Sequence, residues 1–254
     1  SPAPQLPSTA ITLGSNATAV APSRSRDGST LLMINSHQPL TGPVSWYEVH
    51  LQSGEGLNVM GGLFIGSPAL GVGFNQHHGW GATVNQPDLV DVYVLEMDPE
   101  DDNRYRLDGE WLELEAFDIP IKVLVWGWLP WTVKEKGYRS IHGPVMKTDH
   151  GTYALRYAGM DEVRQVEQWL AMSAATSFDE WREAMALQHI ASFNFVYANA
   201  DGDIHFVHNA MMPRRVVGWQ WDQYLPGDRR DLIWDDYLTP DELPSVTNPP
   251  SGYV

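Results

Sequence analysis

The sequence predicts an α+β fold, with antiparallel sheet and helices packed outside it, on three observations. From Asn16 to about Tyr157, short β-rich runs are separated by turn residues. The period then changes to that of a helix, and after this block two more strand-like runs flank a tight turn.

Taken in order, residues 1–14 (SPAPQLPSTAITLG) are uncharged and rich in Pro, Ser and Thr, which reads as an extended linker ahead of one block over 15–254. NATAVA, STLLMIN, SWYEVHLQ, LNVMGG, ALGVGFN, WGATVNQ, VDVYVLEM, IPIKVLVW and TYALRY are the strand candidates. Alternation in Trp46–Leu51 sets Trp46, Glu48 and His50 on one face and Tyr47, Val49 and Leu51 on the other. Val163, Val166, Trp169 and Leu170 then recur at helical spacing. A capping box, Ser177 to Glu180, opens a second helix that carries Trp181 and Met185 to about Leu187. FNFVYAN and DIHFVHN flank the turn Ala200-Asp201-Gly202, and the chain from Pro213 onward reads as irregular.

At 254 residues, 43% hydrophobic and 19% charged, the chain can bury a sizeable core and is neither disordered nor collagen-like. The 32 Asp and Glu outnumber the 16 Lys and Arg, a net charge of -16 that repels phosphate backbones and anionic lipid, so nucleic acid is not an expected partner. The absence of cysteine excludes disulfides, thiolate metal sites and a cysteine nucleophile. The most apolar stretch, Ile121–Val133, is broken by Lys122, Gly127 and Pro130 and is shorter than the roughly 20 residues a spanning helix needs, so no membrane insertion is expected. The start shows no signal-peptide pattern and no initiator Met, and the chain reads as a piece of a longer precursor.

No Gly-x-Ser-x-Gly elbow, His-Glu-x-x-His helix, Walker loop or dinucleotide turn is present. His205 and His208 lie three apart on a strand and face opposite ways, which argues against a shared metal. Asp98–Asn103 (DPEDDN) lacks the glycine of a calcium loop and reads as a solvated turn.

The informative tetrapeptide is Leu13-Gly14-Ser15-Asn16, where the linker meets the first strand. By itself it is an ordinary turn. The chemical reading makes Ser15 an N-terminal nucleophile, exposed when its own hydroxyl breaks the Gly14–Ser15 bond, with Gly14 tolerating a strained backbone at that step. The freed α-amine, with a reference pKa of about 7.7–8.0, would then serve as the base. A site of this kind also needs two donors for the tetrahedral oxyanion.

Around Ser15, SNATAVAPSRSRDGSTLLMINSHQPLTGPVSWYEVHL and GLFIGSPALGVGFNQHHGWGATVNQPDLVDVY resemble the start of the β chain in the penicillin acylase family, which also holds acyl-homoserine-lactone and aculeacin acylases. HGPVM, TYALRYAGMDEVRQVEQW, SFNFVYANADGDIHFVHNAMMPRR, LPGDRRDLIWDDYL and NPPSGYV extend the resemblance to the last residue. It implies the αββα sandwich of N-terminal-nucleophile hydrolases, of which this chain would hold the catalytic portion.

Carried over residue by residue, the resemblance makes Ser15 the nucleophile and puts His37 close to its amine. The Val84 N–H and the Asn194 side-chain amide would form the oxyanion hole, and Asp88, Val90 and Asp91 would belong to a calcium site. Gln38 stands where many members carry an aromatic residue at the acyl pocket. The implied substrate is an N-acylated small molecule: a homoserine lactone, a lipopeptide or a β-lactam side chain. The implied partner is an α chain from the same precursor, and the implied location is periplasmic or secreted. Two alternatives stay open: a non-catalytic, calcium-stabilised β-rich binding module, which 11 Trp and 10 Tyr would also suit, and a member that processes without turnover.

Overall fold

The computed structural model describes residues 14–254, so the expected linker, apart from Gly14, lies outside the described residues. In chain order the strands begin with β1 (Ser15–Val20), β2 (Leu31–Ser36), β3 (Trp46–Gln52), β4 (Asn58–Phe64), β5 (Val72–Phe74) and β6 (His78–Thr83). They continue with β7 (Val90–Leu95), β8 (Met97–Asp98), β9 (Asp101–Leu107), β10 (Glu110–Glu113), β11 (Glu115–Val125), β12 (Leu129–Ser140), β13 (Gly143–Thr148) and β14 (Gly151–Tyr157). Helices α1 (Gln165–Ala174) and α2 (Phe178–Ala186) precede β15 (Ser192–Asn199), β16 (Ile204–Ala210), β17 (Leu225–Pro226) and β18 (Ser245–Thr247). The chain divides into two compact units.

The first unit takes the chain up to Pro87, then Asp161–Ala210 and Thr239–Val254. Its main sheet runs β18-β16-β15-β6-β5-β4-β3, and a separate β1–β2 hairpin packs on β6 and β15. This close packing depends on missing side chains: a Cβ on Gly81 would lie 2.6 Å from Ile34 Cγ1, and one on Gly79 2.9 Å from Leu32 Cδ2. Ala19, Val196, Ala198 and Ile204 form the core of that interface. On the opposite face of β15, Phe195 and Tyr197 receive the rings of Trp169 and Trp181 from the two helices. The unit is thus layered α/β/β among the described residues.

Both helices differ from their expected detail. In α1 the buried positions are Gln168, Met172 and Ser173, while Val163 is 85% exposed and stands before the helix. Gln168 is inside because its Oε1 accepts the backbone N–H groups of His189 and Ile190 at 2.7 and 2.8 Å, a polar need that apolar spacing does not register. At α2, Ser177 Oγ accepts the Glu180 N–H at 3.2 Å as expected. The Glu180 carboxylate reaches one residue further back, accepting the N–H and hydroxyl of Thr176.

The second unit, Asp88–Met160 and Met211–Leu238, holds a sheet ordered β11-β12-β13-β14-β7-β17 and a smaller one ordered β10-β9-β8. Only β17 runs parallel to its neighbour. Tyr93, Leu95, Tyr105, Leu107, Leu225 and Leu232 are the centre of its core. Strands β8, β9, β10, β12 and β13 go beyond the sequence reading, since Arg, Lys, Glu and Asp dilute their alternation, and the short β17 and β18 fall where the chain from Pro213 onward reads as irregular. The apolar stretch Ile121–Val133 becomes the end of a long two-stranded ribbon, β11 against β12, that turns at Trp126 and Gly127 with φ of 54° and 78°. The turn holds three residues, Trp126, Gly127 and Trp128, between the paired Val125 and Leu129, and its first two residues are left-handed.

Candidate active site

Antiparallel pairing of β1 with β2 sets Ser15 opposite Ser36 and brings His37 beside the Gly14–Ser15 peptide. The Gly14 carbonyl oxygen accepts two hydrogen bonds, from the His37 N–H at 3.0 Å and from the Ser15 hydroxyl at 2.6 Å. Two donors on one carbonyl polarise it toward addition. The His37 Nε2 stands 3.2 Å from Asn16 Nδ2 and 3.3 Å from Asn35 Nδ2. With those amide nitrogens donating, Nε2 accepts and the ring proton sits on Nδ1. Gly14 is not among the positive-φ glycines, and an added Cβ would make an ordinary 3.5 Å contact with His37 Nδ1. The expected backbone strain at Gly14 is therefore not a feature of this state.

Val84 follows directly on β6, whose Thr83 pairs with Asn194 of β15. The Asn194 amide is held at both ends: Nδ2 donates to Thr83 Oγ1 at 3.2 Å, and Oδ1 accepts from His208 Nδ1 at 2.8 Å. His208 went unrecognised as a site residue. Its signal lies in hairpin register, since Asn194 and His208 are each seven residues from Asp201 (201 − 194 and 208 − 201) and pair across the turn. His205 faces the other way as expected, its ring packed on Phe178 and Trp181.

A cavity of about 310 Å³ brings Ser15, Gln38 and Val84 together. Its walls are Trp46, Phe64, Trp169 and Phe193, with Trp46 stacked on Phe64 at a ring separation of 4.4 Å. Gly71 makes room for this stack, because a Cβ there would come within 2.9 Å of the Trp46 ring. The chamber is mostly aromatic and apolar, with Gln38, Gln165 and the hydroxyls of Ser15, Ser36 and Ser67 supplying the polarity; such a lining suits an acyl group. Asn194 does not line the cavity but adjoins it through Thr83.

Asp88, Val90 and Asp91 lie in the second unit, and the two carboxylates share Arg215. Arg215 Nη1 donates to Asp88 at 2.8 Å, Nε donates to Asp91 Oδ2 at 2.9 Å, and Trp234 Nε1 donates to the same oxygen at 2.6 Å. Burial raises the Asp91 pKa above the usual carboxylate value, opposed by the Trp234 hydrogen bond and the Arg215 charge. Calcium takes about six to eight oxygens. Here a guanidinium occupies the place between the carboxylates, and no group of three or more His, Asp or Glu gathers among the described residues. The two carboxylates and the Val90 carbonyl fall short of that number, so a calcium ion here would need its remaining oxygens from other residues.

The penicillin amidase family model matches residues 2–254. An acyl-homoserine lactone acylase PvdQ of Pseudomonas fluorescens (strain Pf0-1) is 31% identical over 212 residues, covering 80% of this chain and 27% of the relative. Penicillin G acylase of Escherichia coli is 28% identical over 246 residues, covering 94% of this chain and 28% of the relative. The solved structure of a thermostable penicillin G acylase from Alcaligenes faecalis superposes with a TM-score of 0.81 at 28% identity, covering 94% of this chain and 43% of that one. The chain thus spans just over a quarter of the length of these curated relatives. Its α+β fold is that of the acylase structure, and with the family model matched along nearly its whole length, the chain belongs to the penicillin amidase family.

Proposed function

We propose that this chain carries the catalytic portion of a self-processing N-terminal serine amidohydrolase that cleaves the amide bond of an N-acylated small molecule. The observation that carries the reading is the Ser15 hydroxyl lying against the Gly14 carbonyl while the His37 N–H holds the same oxygen. In the first step Ser15 Oγ adds to the Gly14 carbonyl carbon, the bond to the Ser15 nitrogen breaks, and an ester links Gly14 to Oγ. Water hydrolyses the ester, leaving a Gly14 carboxylate, a free Oγ–H and a free α-amine on Ser15.

In turnover the amine takes the Oγ proton as Oγ attacks the substrate acyl carbon. The oxyanion is met by the Val84 N–H and the Asn194 amide, the leaving amine takes the proton, and water releases the acid. The aromatic chamber beside Ser15 supports an apolar acyl group as the recognised half of the substrate. Homoserine lactone, lipopeptide and β-lactam amides share that chemistry, and a separate α chain from the same precursor completes the site in this reading.

The test is intact mass and N-terminal sequence of the product of the full-length gene, beside Ser15→Ala. A wild-type chain that begins at Ser15 and a variant that stays joined to Gly14 are expected. Well-folded protein left uncut in both would remove the free amine and move the binding-module reading ahead.

A further inference from the structure

The end of the β11–β12 ribbon is chemically unlike the rest of this acidic chain. From Ile119 to Lys134 there is no Asp or Glu, against 32 in the whole sequence. Trp126, Trp128, Trp131 and Leu124 are 80%, 70%, 61% and 64% exposed. Cross-strand pairing places Ile121 with Val133, Val123 with Trp131 and Val125 with Leu129 on one face. Lys122 with Thr132, and Pro120 with Lys134, lie on the other, until the Leu124–Pro130 rung turns that face apolar too. The last rungs and the turn are therefore apolar on all sides, with two lysines set back behind them.

We propose that this ribbon tip inserts into the surface of a phospholipid bilayer. A flat protein surface would cover one face of the tip and leave the other in water, whereas a bilayer interface surrounds it. Trp is the side chain suited to that boundary, with an apolar body and an N–H that stays wet. Lysines set back from the tip can extend their stems along the apolar surface and keep their ammonium groups at headgroup level. Trp126 lies four positions beyond Lys122, about 13 Å along the strand, which reaches into one leaflet of a hydrocarbon core about 30 Å thick and does not cross it. No helix among the described residues is long and apolar enough to cross a membrane; the expectation of no membrane insertion rested on a spanning helix, and shallow insertion of a ribbon tip requires none. A net charge of -16 on the chain opposes anionic membranes, so a zwitterionic surface is the fitting one. None of these observations depends on the acylase chemistry.

The test is co-sedimentation of the full-length protein with phosphatidylcholine vesicles, beside a Trp126→Ser/Trp128→Ser variant and a Leu124→Ser variant. Melting temperature confirms that each exposed substitution leaves the fold intact. The wild type is expected to partition into the vesicle pellet, the double variant at least tenfold less, and brominated phosphatidylcholine to quench tryptophan emission only where the tip is intact. A wild type that stays in the supernatant overturns the proposal, as does a variant that binds equally well. Concentration-dependent self-association lost in the variants, without vesicle binding, also overturns it and assigns the tip to a second copy.

Discussion

His208 donates from Nδ1 to the Oδ1 of Asn194 at 2.8 Å, so the Asn194 Nδ2, which gives one hydrogen to Thr83 Oγ1 at 3.2 Å, keeps its second hydrogen to donate. The hydrogen bond fixes which end of the amide is oxygen and which nitrogen, and in the proposed mechanism the nitrogen end meets the oxyanion. His208→Ala is expected to lower kcat about 10- to 100-fold with little change in KM, and His208→Gln, which keeps a donor, to restore part of it. Asn194→Ala is expected to cost more, about 10²–10³ in kcat, the usual loss for one oxyanion donor. Equal losses of kcat and of melting temperature would reduce His208 to a packing residue.

Gln38 is one of the few polar side chains in a largely aromatic and aliphatic chamber. Gln38→Phe is expected to shift the preferred acyl chain without altering cleavage at Ser15. Relative rates across a chain-length series check it, and an unchanged profile would remove Gln38 from the specificity determinants.

Arg215 is 12% exposed and Asp91 is fully buried, so their pairing is a matter of stability. Arg215→Met is expected to destabilise the protein by about 3–5 kcal/mol, the usual consequence of leaving one buried charge alone. With the guanidinium in place, EDTA is expected to leave the wild-type melting temperature unchanged. A chelator-induced drop reversed by calcium would restore the metal to Asp88 and Asp91.

His78, His142 and His205 are buried, and burial is the first cause that lowers each pKa to about 4. Each binds a proton more readily unfolded, at a reference of about 6.5, than folded. Their contribution is therefore complete above about pH 6.5 and lost as pH falls toward about 4, by on the order of 1–3 kcal/mol per residue. Denaturant melts between pH 7 and 4 check this. His205→Phe, beside Phe178 and Trp181, is expected to flatten the slope.

The strands that carry the site were readable because their apolar residues alternate and their turns hold glycine. Ser15 itself was not readable from residue chemistry, since Gly-Ser-Asn is common turn material, and it came into view through the ordered family blocks around it. Gln168 and His208 were illegible for a different reason. Both are polar groups whose partners lie across a fold, Gln168 on the backbone of His189 and His208 on Asn194, and hydrophobic periodicity carries no information about such pairs. Arg215 shows the same limit, because two aspartates in a turn look alike whether a metal or a distant arginine stands between them.

The bare strip of Gly79 and Gly81 sets a mechanical tolerance for the whole site. It fixes how far the β1–β2 hairpin stands from β6, and so how far Ser15 stands from Val84 and Thr83. A methyl group at Gly81 would act as a shim under Ile34, lifting the Ala17–Ile34 rung, two rungs from Ser15, by a fraction of an ångström to an ångström. The fold can absorb that displacement, whereas the tetrahedral intermediate of the proposed mechanism, held by two donors, would not. Gauge, more than the identity of any side chain, is what the strip preserves.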